Sequence, residues 1–251
     1  MCRHMGYLGP EIPFGQIVLA PPNGLYRQSW APRRQRHGTV NADGFGVGWY
    51  APGDPVPARY RRAGPIWADE QLPDLARVVR TGALLAAVRD ATVAGADAEA
   101  AAAPFAAGRY LFSHNGAVAG WPDTLAPLVA ELPAVELLRL QARCDTAFLW
   151  ALVRHRLALG DDVGEALAGT VRAVARVAPG SRLNLLLTDG TTVAATSWGD
   201  TLCHLAVPGG GRVVASEPHD DSPRWTEVPD HTLLCATRTD VHLTPLKEPA
   251  T

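Results

Sequence analysis

The sequence contains no run approaching the roughly 20 consecutive apolar residues needed to cross a bilayer, and it opens without the apolar core of a secretory signal. A cytoplasmic protein with no membrane contact is expected. Cysteine is scarce, and Cys2, Cys144, Cys203 and Cys235 show neither CxxC spacing nor the density of a disulfide scaffold. They read as free thiols in a reducing compartment. His114, His155, His204, His219, His231 and His242 are scattered without ligand spacing, so no metal site is expected. Neither a GxSxG elbow nor a GK[ST] phosphate loop is present. Charge of one sign is lacking too. A formal net charge of -2 excludes the global field that would draw the chain to nucleic acid, and leaves a small molecule as the expected partner.

The chain does have enough apolar residues for a large core: 251 residues, 47% hydrophobic, with no internal repeat and no linker, point to a single domain. Short apolar runs punctuated by Gly and Pro, at residues 5–8, 45–50, 83–88 and 110–112, predict strands. Helical periodicity follows, with Phe148, Leu149, Leu152 and Val153 on one face and Val163, Leu167, Val171 and Val174 on another. Beyond Pro179 strands return, at 183–187, 192–197, 202–207, 213–216 and 233–236. Strands, then helices, then strands predict an α+β layered domain with largely antiparallel sheet. The tract 95–107 reads as a loop and residues 247–251 as a frayed tail.

Chemistry enters at Cys2. Removal of Met1 would leave a thiol and a free α-amine on one residue, the amine with a pKa near 7.7 to 8 and able to take the thiol proton. Such a nucleophile needs donors for an oxyanion and groups that grip an acyl chain. Asn115 and Gly116, in Ser113-His114-Asn115-Gly116 after an apolar run, offer a side-chain amide and a backbone N–H that can converge on one oxygen; the competing reading is an ordinary Asn-Gly turn. Arg89, in Val88-Arg89-Asp90-Ala91-Thr92, presents a planar fork at a strand end, suited to a carboxylate or to a surface salt bridge. Asp145, in Cys144-Asp145-Thr146, opens the first long helix, where it can cap the helix or bind an ammonium. The Asn41-Ala42-Asp43-Gly44-Phe45-Gly46-Val47-Gly48-Trp49 stretch lacks dinucleotide-loop spacing and reads as a tight turn into a strand close to the N-terminus. Arg33, Arg34, Arg36 and His37 read as a solvated basic cluster.

Taken in order, MCRH, NADGFG, VRDAT, SHNG and CDT resemble the class II glutamine amidotransferase domains of the N-terminal nucleophile hydrolases. The resemblance implies a four-layer αββα sandwich spanning residues 2–251, with Met1 removed and the Cys2 nucleophile at a sheet edge. It further implies Asn115 and Gly116 as the oxyanion hole, Arg89 and Thr92 on a glutamyl carboxylate, and Asp145 on the glutamyl amine, with no cofactor. Departures lie at Ala103-Pro104-Phe105, where many members carry a His before Pro-Phe, and at Asp90 after the Arg. Longer matches, among them QSWAPRRQRHGTVNADGFGVGW, SRLNLL, TSWGDTL and SEPHDDSPRWTEVPD, are similar to the amidohydrolases of ergothioneine biosynthesis. That likeness implies hydrolysis of the γ-glutamyl amide of γ-glutamyl-hercynylcysteine sulfoxide, without an obligate synthase partner. Trp30, Trp49 and Trp67 are candidates to face its trimethylammonium. A glutaminase subunit, another γ-glutamyl amidase and an inactive binding module are the alternatives.

Overall fold

The computed structural model describes residues 2–91 and 99–247. Within them the strands are β1 (Arg3–Pro13), β2 (Phe45–Trp49), β3 (Ala58–Arg62), β4 (Arg80–Val88), β5 (Phe105–Ala107), β6 (Tyr110–Ala117), β7 (Arg182–Thr188), β8 (Val193–Ser197), β9 (Cys203–Ala206), β10 (Arg212–Ala215), β11 (Thr226–Glu227), β12 (Thr232–Ala236) and β13 (Val241–Pro245). They form two sheets, ordered β11-β9-β10-β1-β4-β2-β3 and β13-β12-β8-β7-β6-β5, and every pairing is antiparallel.

Alternation along each central strand separates three hydrophobic layers. Leu84, Ala86 and Val88 of β4 point outward, with Met5 and Tyr7 of β1, to a layer closed by α1 (Gly15–Val18), α2 (Leu25–Gln28) and α3 (Leu72–Val78). Ala83 and Leu85 point the other way and meet Leu111, Leu186, Val193 and Ala195 of the second sheet. Leu183, Leu185 and Leu187, on the far side of β7, pack under the long helices α6 (Asp145–Ala158) and α7 (Val163–Val177). Two short helices, α4 (Ala126–Val129) and α5 (Ala134–Leu138), precede them. The result is the expected αββα sandwich. Sheet contact is close: a Cβ at Gly6 would lie 3.2 Å from Leu186 Cδ2. Asp162 caps α7, its Oδ1 accepting from the Gly164 and Glu165 N–H groups. No helix among the described residues is long and apolar enough to cross a membrane.

Several sequence expectations need correction. Asn115-Gly116 is not a turn: β6 runs through it, pairing Asn115 with Asn184 and Gly116 with Leu183 of β7. The tract read as a loop at 95–107 ends in strand β5, because Phe105 pairs with Phe112 and is fully buried. β2 does begin close to the N-terminus, one strand away, since Val88 of β4 pairs with both Phe45 and Arg3. β3, β13 and the short helices gave no periodic signal. Of the segment read as a tail, 248–251 lies outside the described residues.

The sheet interface makes a stability prediction. Leu186→Ala should cost about 3 kcal/mol, as cavities in dry cores do, whereas Leu138→Ala, 86% exposed on α5, should change stability by less than about 0.5 kcal/mol. Urea denaturation of both variants measures the contrast.

Candidate active site

Cys2 stands immediately before β1, and the pairing of Arg3 with Val88 sets it beside the end of β4, where Arg89 and Asp90 follow. Burial pushes the Cys2 thiol above its ordinary pKa; a backbone hydrogen bond from Asp90 and the positive charge of Arg89 oppose that rise, and the Asp145 carboxylate adds to it. Two segments far apart in sequence, at 89–90 and at 145, therefore act on one sulfur. Cys144 shares this environment, its thiol pushed up to about 11 by burial and by Asp145, with Arg89 lowering it.

Each partner is held by its own local structure. Arg89 continues the ladder past β4, its N–H donating to Gly44 O (2.7 Å) and its Nη1 to Asp43 O (3.1 Å), while Asp43 Oδ2 accepts from the Ala91 N–H (2.8 Å). The glycine-rich turn thus serves to brace the arginine. Asp145 is the first residue of α6; Cys144 takes the N-cap position and makes no side-chain cap bond. Instead Asp145 Oδ2 accepts from the Val118 N–H (3.1 Å), just beyond β6, and Oδ1 accepts from the Thr146 N–H (2.7 Å). Gly116 must be glycine on steric grounds, since a Cβ there would overlap the Arg182 carbonyl and lie 2.6 Å from His114 Nε2. Thr92, expected to share the glutamyl carboxylate, lies outside the described residues.

Asn115 faces the layer between the sheets, as does Ser113, whose hydroxyl meets His4 Nδ1 across that layer at 2.7 Å. Asn115 Nδ2 donates to Ser216 Oγ (3.3 Å), and the same hydroxyl accepts from the His4 N–H (3.1 Å). This chain of bonds carries the oxyanion candidate to within two residues of Cys2. Sequence reasoning missed His4, Ser113, Ser216 and the fully buried Glu217, which accepts from the Arg33 and Arg34 backbone N–H groups (3.0 and 2.7 Å). The basic cluster is accordingly more than a solvated face: its backbone is pinned, and Arg33 and Arg34 pair with Asp221 (2.5 Å) and Glu227 (2.6 Å). The three tryptophans do not meet in one place. Trp49 stacks on Phe14, while Trp30 meets Tyr26 and Trp67 edge to face, with Arg27 over its ring.

No protein-family model matches the chain. The fold is that of the N-terminal nucleophile hydrolases in their class II glutamine amidotransferase form, shared with a glutamine aminotransferase class-II domain protein from Silicibacter pomeroyi (TM-score 0.71, 24% identity, 98% of this chain and 100% of that one). Closer relatives narrow the class. The chain is 43% identical to the γ-glutamyl-hercynylcysteine sulfoxide hydrolase of Mycobacterium tuberculosis strain CDC 1551, over 98% of this chain and 97% of that protein. It is 40% identical to the enzyme of the same name from Mycolicibacterium smegmatis, over 98% and 100%. It belongs to the γ-glutamyl-hercynylcysteine sulfoxide hydrolase family.

Burial also makes a pH prediction. His4, 1% exposed, has its pKa lowered to about 3 by burial, with the charges of His114 and Arg3 adding to the effect. The folded protein keeps the ring neutral where the unfolded chain takes up a proton near pH 6.5, so this contribution to stability is complete above that pH and is lost as pH falls. The slope is about 1.4 kcal/mol per pH unit. Urea denaturation between pH 7 and 5 should therefore show a decline about 2 kcal/mol smaller for His4→Gln than for the wild type over the whole interval.

Proposed function

We propose that this protein hydrolyses the γ-glutamyl amide bond of γ-glutamyl-hercynylcysteine sulfoxide, releasing glutamate and hercynylcysteine sulfoxide, a step of ergothioneine biosynthesis. The observation that carries the reading is identity above 40% along nearly the whole chain to a hydrolase of that name. The action of both Arg89 and Asp145 on Cys2 supports it chemically, because a cation and a carboxylate near one thiol complement the two charged ends of a glutamyl group.

In this mechanism Met1 is removed and the Cys2 α-amine accepts the thiol proton as sulfur attacks the γ-carbonyl. Asn115 Nδ2 and the Gly116 N–H stabilise the tetrahedral oxyanion. The ammonium then protonates the departing cysteinyl nitrogen, the C–N bond breaks, and a thioester remains on Cys2. The amine, neutral again, activates water against the thioester and glutamate leaves. Arg89 and Thr92 hold the glutamyl α-carboxylate and Asp145 its ammonium. Three bonds act on the Asp145 carboxylate from Val118 and Thr146, and its remaining lone pairs are enough for one more donor.

The test is product analysis by mass spectrometry, with the sulfoxide substrate and glutamine supplied separately. Hydrolysis of the sulfoxide with kcat/KM at least about tenfold above that for glutamine is expected, and a preference for glutamine would reject the substrate assignment. Intact mass should lack Met1. Cys2→Ala should bind substrate without turnover, and Arg89→Lys, which exchanges a planar fork for a point charge, should raise KM about tenfold with little change in kcat.

A further inference from the structure

The Ser216 hydroxyl, fully buried just beyond the end of β10, touches both the nucleophile strand and the oxyanion candidate. It accepts from the His4 N–H (3.1 Å) and from Asn115 Nδ2 (3.3 Å), and donates to His4 O (3.3 Å). One hydrogen and two lone pairs are the whole capacity of a hydroxyl, so these three bonds saturate it. With its hydrogen committed to the His4 carbonyl, Ser216 can meet Asn115 only as an acceptor. The amide must then turn its nitrogen, and not its oxygen, towards Ser216. One Nδ2 hydrogen is used in that bond and the other is left for a ligand.

We propose that Ser216 is a positioning residue that fixes the rotation of the Asn115 amide, so that an N–H and not Oδ1 faces the oxyanion formed on the substrate. The inference rests on the reading of Asn115 as an oxyanion donor. Asn115 Oδ1 finds no hydrogen-bond partner among the described residues, so nothing on that side of the amide holds its rotation. The alternative rotamer, with oxygen and nitrogen exchanged, would set a carbonyl dipole against the developing negative charge. Ser216 blocks it from the nitrogen side. Its attachment is to a rigid element: the Ser216 N–H also donates to His4 O (3.0 Å), two residues from Cys2, so the orientation of the amide and the position of the sulfur share one anchor.

The experiment is a double-mutant cycle on γ-glutamyl-hercynylcysteine sulfoxide hydrolysis. Ser216→Ala should lower kcat about tenfold with KM within about twofold, because the oxyanion exists only in the transition state. Asn115→Ala should lower kcat about 100-fold. The double variant should be no slower than Asn115→Ala, within about twofold, since a residue that acts through the amide has nothing left to orient. A double variant a further tenfold below Asn115→Ala, or Ser216→Ala with wild-type kcat, overturns the role of Ser216 and leaves Asn115 in place. Wild-type kcat in Asn115→Ala overturns the oxyanion assignment itself and this inference with it. Should Ser216→Ala fail to fold, Ser216→Cys, which keeps the volume but accepts hydrogen bonds weakly, is judged by the same two criteria.

Discussion

Glu217 is a carboxylate with no exposed surface, and the geometry around Cys2 follows from how it is satisfied. Its Oε1 accepts from Asn23 Nδ2 and the Arg33 N–H, both at 3.0 Å, and Oε2 accepts from the Arg34 N–H at 2.7 Å and lies 3.9 Å from Arg3 Nε. Burying an ion of this size costs several kcal/mol unless donors replace its water. Here the hydrogen-bond donors come from Asn23, between α1 and α2, and from the long connection between α2 and β2, with the Arg3 guanidinium of β1 alongside. That connection is therefore tied to β1 and is not free to drift over the surface. At its other end Asn41 donates to Gln28 O (3.0 Å) while its own N–H bonds Ser29 O (2.6 Å). Between these anchors Gly38 packs so tightly on Asp90 that a Cβ would overlap the carboxylate, and Asp90 supplies the backbone bond to Cys2. A buried charge thus helps to shape the wall around the Cys2 sulfur.

The sheets were legible in the sequence to the extent that burial marks them. β4 is apolar on both faces because the outer helices cover one side and the second sheet the other, so it shows as an unbroken apolar run. β3, with the sequence ARYRR on a sheet edge, has no such covering and looks like any polar segment. α1 and α2 are four residues each, too short for a period of 3.6 to register. At the Asn-Gly pair the competing turn reading fails for a different reason. Local preference favours a turn there, but pairing with Asn184 and Leu183 on β7 holds both residues in a ladder, a tertiary effect that a local rule does not see.

Legibility within the site divides the same way. Cys2, Arg89 and Asp145 sit at the start of a strand, the end of a strand and the start of a helix, positions that short patterns reveal. His4, Ser113, Ser216 and Glu217 carry no local mark. His4 meets Ser216 across 212 positions and Ser113 across 109, and Glu217 reaches Asn23 across 194. Their residue types are common and their meaning exists only once β10, β1 and β6 are brought together. Similarly Asn184, which accepts from the Trp198 N–H (2.9 Å) and donates to Asp200 O (2.9 Å), shapes the Ser197-Trp198-Gly199-Asp200 turn without any sign of it in β7.

Unequal satisfaction of buried polar atoms then separates the support from the working groups. Ser216 Oγ is saturated and Glu217 accepts three hydrogen bonds, as groups that must not move are expected to. Asn115 Oδ1 and His4 Nε2 have no hydrogen-bond partner among the described residues, although both side chains are buried. An orphaned buried acceptor costs about 1–3 kcal/mol, and a fold this well packed has other places to lose that much. Both orphans belong to the same cross-sheet network, one on the oxyanion candidate and one on the strand that begins beside Cys2. A saturated hydroxyl holds one Nδ2 hydrogen of the Asn115 amide and leaves the second free, so the amide is oriented but not fully committed, which is the condition a donor needs if it is to bind a negative charge that appears only during reaction.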